Sequence, residues 1–165
     1  MNKSWIANGF TAANALFGGL SIMMSISGEY HVAAICILIA MAADAFDGRV
    51  ARALGTAGPM GVELDSLSDD ISFGVAAGAL MYSYQLRELG AFGFIPCALL
   101  GAFCAFRLAR FNVKVTSVHG YFEGLPCPTV GVIIACYVLS GVKIWNWLAM
   151  VCVLALAVLM VSEVH

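Results

Sequence analysis

Six long apolar runs, separated by short polar or Gly/Pro-rich breaks, organise the chain. Runs of this length and polarity predict helices rather than strands. The first helix is expected over residues 9–27, closing at Gly28-Glu29-Tyr30-His31, and the second over 32–54. A short turn through Gly55, Gly58 and Pro59 leads to a third helix over 61–84. A fourth follows over 90–111, then a polar loop over 112–125, a fifth helix over 126–140 and a sixth over 144–161. A helix of about 20 apolar residues matches the hydrocarbon thickness of a bilayer. The pattern therefore predicts an all-α polytopic membrane protein, a bundle of six transmembrane helices forming one integral-membrane domain over residues 1–165. The N-terminus has a basic start but no clear cleavage site, so its apolar run reads as a spanning helix and not a signal peptide. There is no internal repeat or low-complexity segment. The chain stops soon after the sixth run, leaving open whether a C-terminal tail follows.

Composition agrees with a membrane setting. Hydrophobic residues make up 62% and charged residues 11%, against about 25% charged in soluble domains. The net charge of −2 says less than where the charges fall. With the N-terminus cytoplasmic, Lys3, Arg49, Arg52, Arg107, Arg110 and Lys114 lie on the cytoplasmic side, and Arg87 and Lys143 lie outside. Six against two fits the positive-inside rule. The six cysteines show no C-x-x-C spacing and sit mostly in apolar runs. They read as small core residues, not as a disulfide or zinc framework.

The acids are distributed very differently. Of ten, six (Asp44, Asp47, Glu63, Asp65, Asp69 and Asp70) fall between positions 44 and 70. Asp44 and Asp47 are three apart on the second helix, and Asp65 and Asp69 are four apart on the third, so each pair shares a face. The short turn makes the two helices antiparallel neighbours, so four carboxylates are expected to converge at the cytoplasmic end. Left alone they would repel, and several would have to take up protons. Hard divalent cations with oxygen ligands, Mg²⁺ or Mn²⁺, relieve that conflict. Two such ions could clamp a phosphate or pyrophosphate during an in-line displacement. Gly48, Ala51 and Gly61 leave room for a ligand against the backbone, and Arg52 could take a phosphate oxygen. Two other readings stand beside this one. Small residues also serve close helix packing in membranes, and intramembrane acids also line proton or ion pathways, as in a transporter.

The string Asp44-x2-Asp47-Gly48-x2-Ala51-Arg52-x8-Gly61-x3-Asp65-x3-Asp69 resembles the full signature of the CDP-alcohol phosphatidyltransferase family, with every fixed position present. The resemblance implies a six-helix membrane enzyme, usually a homodimer, that uses two divalent cations. Such an enzyme displaces CMP from a CDP-linked lipid with an alcohol. The flanking strings, among them residues 46–52, 63–69, 72–74, 107–112 and 122–128 and the N-terminal Asn8-x2-Thr11-x2-Asn14-x3-Gly18, resemble the membrane-integral subgroup that transfers the phosphatidyl group of CDP-diacylglycerol to L-serine. Asp70-Ile71 departs from that pattern, where an apolar pair is expected. By similarity, Asp44, Asp47, Asp65 and Asp69 hold the metals, and Asp69 is also the catalytic base. Asp44, Asp47, Gly48, Ala51, Arg52, Gly61 and Asp65 line the cytidine diphosphate site.

An acceptor such as L-serine carries both a carboxylate and an ammonium. Arg107 and Arg110, three apart and followed by Asn112, suit the carboxylate, and Glu123 could face the ammonium. The same arginines would suit the phosphate of glycerol 3-phosphate or inositol phosphate. Lys114 reads as a residue snorkelling to anionic headgroups, and His119 as loop. Thr11 and Asn14 share a helix face and could bond either the cytosine or the second helix.

Overall fold

The computed structural model describes residues 4–54, 58–115 and 124–162, with side chains described over 9–50, 58–113 and 124–162. Helix α1 runs Ser4–Ile26 and α2 runs Tyr30–Leu54. The third rod is composite: α3 (Pro59–Asp69), a π-helical stretch (Asp70–Val75) and α4 (Ala76–Tyr84) follow without a break. A 3₁₀ turn (Leu86–Leu89) leads to α5 (Ala91–Val115), and α6 (Cys127–Leu139) and α7 (Asn146–Val161) complete the bundle. Counting the composite rod once, the six predicted helices are all present.

Several of the rod boundaries have a local cause. Pro59 opens the third, where its missing N–H costs nothing. Gly28, at φ 85°, turns the chain between α1 and α2, and Gly90, at φ 55°, turns it before α5. Among the described residues, three helices have spans long and apolar enough to cross a bilayer: Gly9–Ile26, Tyr30–Val50 and Ala91–Val113. The apolar α6 and α7 are shorter, at 13 and 16 residues. Large apolar side chains such as Leu16, Met23, Phe92, Phe94, Phe106 and Leu148 are exposed, as expected of a lipid-facing surface.

Two features differ from the expected helices. The third helix was expected to be regular, but within it the Ala76 amide donates to the Ile71 carbonyl, an i→i+5 bond. Asp69, Asp70, Val75 and Ala76 all keep right-handed helical angles, so the rod continues through the insertion unbroken. The polar loop was expected from Asn112, but α5 continues to Val115 and puts Asn112 on helix. Its amide donates to Ser66 Oγ at 3.0 Å, which ties the last turns of α5 to α3.

The interior is built from small residues and a few large ones. Ala33, Ala34, Ala40, Ala76 and Ala77 are fully buried beside Ile37, Phe73, Leu80 and Leu100. Without a hydrophobic drive between helices in lipid, close approach is what holds them together. A Cβ on Gly131 of α6 would lie 2.7 Å from the Phe73 ring, and one on Gly78 of α4 would lie 2.5 Å from the Cys97 carbonyl oxygen on α5. Tyr30 at the start of α2 meets Tyr84 at the end of α4, with ring centroids 5.6 Å apart. The second and third rods therefore run antiparallel, with the acids at the opposite end from these tyrosines. Because the obstacle at Gly78 is backbone, Gly78→Ala is expected to destabilise the detergent-solubilised protein by about 1–3 kcal/mol. Gly19, whose Cβ would meet nothing within 4 Å, is the control: Gly19→Ala should leave the melting temperature unchanged or raised.

Candidate active site

Asp44 and Asp47 stand one turn apart on α2, and Asp65 and Asp69 one turn apart on α3. The antiparallel course of the rods brings them together. Asp44, Asp47 and Asp65 each offer a carboxylate oxygen within 4.8 Å of the others. Asp69 adjoins this trio, with its carboxyl against that of Asp44, while Asp47 faces Asp65. Asp47 and Asp69 are buried, at 5% and 8% exposure, whereas Asp44 and Asp65 are half-buried.

Helix α1 completes the site. It packs along α2 and also against α3 and the π-helical stretch, so its polar face looks onto both acidic helices. Thr11 Oγ1 donates to Asp47 Oδ2 at 2.6 Å. Asn14 Nδ2 donates to Asp69 Oδ1 at 3.0 Å. Ser72 Oγ in turn donates to the Asn14 carbonyl at 2.9 Å, holding α1 to the π-helical stretch. A side chain on Gly18 would run into Ser72, so the glycine sets how closely the two approach. The sequence placed Thr11 and Asn14 on one face but left their partner open. In the structure that partner is a carboxylate in each case.

The donor set suits a hard cation. It consists of carboxylate oxygens from two helices, with no sulfur or imidazole among the trio. Asp65 Oδ1 is buried and has no hydrogen-bond partner, leaving an acceptor that only a cation, a proton or a further donor would satisfy. Of the other expected ligand-site residues, Gly48 and Gly61 are half-buried on the same two helices. The side chains of Ala51 and Arg52 lie outside those described, and Glu123, with His119, lies outside the described residues.

The expected acceptor residues are placed on α5 and are partly committed elsewhere. Arg107 Nη1 donates to Cys127 Sγ at 3.7 Å, and Arg110 Nη1 to the Val161 carbonyl at 3.5 Å. Asn112 bonds Ser66, the neighbour of Asp65, as described above. All three thus lie at the aspartate end of the bundle. Cys127 was read as a core residue with no polar role. It is fully buried but also accepts from Arg107, a contact that spacing of 20 residues could not reveal.

A six-helix bundle with this carboxylate constellation defines a class. The chain belongs to the CDP-alcohol phosphatidyltransferase family, whose sequence profile matches residues 4–161. It is similar to the CDP-diacylglycerol–serine O-phosphatidyltransferase of Helicobacter pylori strain 26695, 37% identical over 137 residues that cover 82% of this chain and 58% of the relative. The enzyme of that name from Bacillus subtilis strain 168 is 36% identical over 155 residues, 93% of this chain and 85% of the relative. The archaetidylserine synthase of Methanothermobacter thermautotrophicus is 38% identical over 154 residues, 92% and 65% respectively. The chain thus spans less than two thirds of the length of the Helicobacter relative.

Asn14 is fully buried and its amide holds Asp69, so removing it strands a buried carboxyl. Asn14→Leu is expected to cost about 1–3 kcal/mol of stability, measured by thermal unfolding in chelator-treated detergent. An unchanged melting temperature would mean that Asp69 does not depend on α1.

Proposed function

We propose that this protein transfers the phosphatidyl group of CDP-diacylglycerol to the hydroxyl of L-serine, giving phosphatidylserine and CMP. The observation that carries this reading is the convergence of Asp44, Asp47 and Asp65 within 4.8 Å, with Asp69 beside them. The names of the relatives support serine as the acceptor.

In this reading Asp44, Asp47, Asp65 and Asp69 hold two divalent cations, Mg²⁺ or Mn²⁺. Bound there, the cations supply the positive charge that neutralises the pyrophosphate oxygens. Thr11 and Asn14 fix the carboxylates that face α1. Gly48, Ala51 and Gly61 keep the wall of the cytidine diphosphate site low, and Arg52 takes a phosphate oxygen. Asp69 accepts the proton of the serine hydroxyl as its oxygen attacks the β-phosphorus. The new P–O bond forms, the bond to the CMP oxygen breaks, and CMP leaves. Arg107 and Arg110 bind the serine carboxylate, Asn112 braces that wall through Ser66, and Glu123 faces the ammonium.

The 165 residues act as one integral-membrane catalytic domain in a homodimer. They sit in the cell membrane with the aspartate end toward the cytoplasm. The six-against-two distribution of basic residues supports that orientation.

The test is CMP release by purified protein given CDP-diacylglycerol, Mn²⁺ or Mg²⁺, and L-serine, glycerol 3-phosphate or inositol 1-phosphate in turn. Serine is expected to be the productive acceptor, and release only with a phosphorylated alcohol would overturn the assignment. Asp69→Asn should lower turnover by about 10²–10⁴-fold, the usual contribution of a general base. No CMP with any alcohol would instead favour an ion or proton pathway.

A further inference from the structure

Helix α1 meets the acids at two levels. Thr11 Oγ1 reaches Asp47, and Asn14, about one turn further along α1, reaches Asp69. Asp69 is in turn one helical turn beyond Asp65 on α3. The Asn14–Asp69 pair therefore lies deeper in the bundle than the Thr11–Asp47 pair.

The two ends of the Asn14 amide fare differently. Its Nδ2 is committed to Asp69 Oδ1 at 3.0 Å. Its Oδ1 is buried, and among the described residues no donor reaches it. The residue as a whole has no exposure to solvent. A buried carboxylate in that position could take up a proton, but an amide oxygen is only an acceptor. It is satisfied by a donor or a cation brought to it, and an unsatisfied buried acceptor is costly.

Nor is Asn14 loosely held. Its main-chain carbonyl accepts from Ser72 Oγ at 2.9 Å, and Gly18, one turn on, lets α1 lie directly against Ser72. With main chain and side chain both fixed, Oδ1 is presented to a ligand with little further ordering. It shares its amide carbon with the nitrogen bonded to Asp69, so it stands in the immediate surroundings of that carboxyl. Amide oxygens of asparagine are ordinary ligands of hard divalent cations, beside carboxylates. A neutral ligand also adds no repulsion to a site that already gathers four carboxylates.

We infer that Asn14 is itself a metal ligand. Its Oδ1 coordinates the deeper of two divalent cations, next to Asp69, while Asp44, Asp47 and Asp65 converge on the other. Helix α1 then contributes to the metal site directly, as well as holding the carboxylates. This assignment rests on the two-cation reading above.

The test is electron–nuclear double resonance of Mn²⁺ bound to the full, metal-stripped chain made with asparagine ¹³C-labelled at its side-chain carbonyl. A carbonyl carbon one bond from a ligating oxygen is expected to give a resolved ¹³C coupling. Asn14→Asp, which keeps an oxygen at this position but carries no label, should still bind two Mn²⁺ with the coupling gone. Asn14→Leu should weaken one of the two ions about 10- to 100-fold and leave the other. That loss alone does not separate a ligand from a residue that merely holds one, since removing the latter costs as much; the coupling does. Bound Mn²⁺ without ¹³C coupling, or two ions held by Asn14→Leu as tightly as by the wild type, would overturn the assignment and leave Asn14 as a brace for Asp69. If Asn14→Leu does not fold, the labelled wild type and Asn14→Asp decide the matter. If the wild type binds no Mn²⁺ at all, the two-cation reading has failed, and the assignment with it.

Discussion

Four carboxylates held together in a low-dielectric bundle repel one another, and the rest of the structure answers that repulsion. Three of them offer oxygens within 4.8 Å. The protein places donors against two of the four, from Thr11 and Asn14, and leaves Asp65 Oδ1 with none. Such a group is stable only with protons or cations among its oxygens. That requirement links the fold to the function, because the charge needed to satisfy the acids is also the charge needed to bind a pyrophosphate.

The packing follows from the same requirement. Where the acidic ends of α2 and α3 meet, α1 packs against both and supplies hydrogen bonds to one carboxylate on each. Its approach to the third rod is set by Gly18 against Ser72. At the far end a second polar group closes the bundle. Gln85 Nε2 donates to the Ile144 carbonyl at 2.6 Å, and Asn146 donates to Glu88 Oε2 at 2.7 Å. Both groups sit at rod ends, and the small-residue core lies between them.

Much of this was legible in the sequence. The six rods followed from apolar runs, and the aspartate pairs followed from spacings of three and four on helices joined by a short turn. Family membership followed from the fixed residues between them. What escaped was governed by contacts between distant segments. The π-helical insertion has ordinary helical angles and no marker in composition. Asn112 read as loop because it opens a polar stretch, but its bond to Ser66 keeps it on α5. Cys127 read as a hydrophobe, and its contact with Arg107 depends on how α5 and α6 pack. Asp70 was visible as a departure from pattern, but the burial of its unpartnered Oδ1 was not. The roles of the site residues, by contrast, rest on resemblance and chemistry together.

If the aspartate constellation holds divalent cations, the purified, metal-stripped protein should take up Mn²⁺ in a way that electron paramagnetic resonance can count. Saturable binding of about two ions per chain is expected, as in two-metal phosphoryl-transfer sites, with binding strongly weakened in Asp44→Asn and in Asp65→Asn. Absence of saturable Mn²⁺ binding, or binding undiminished by either substitution, would contradict it.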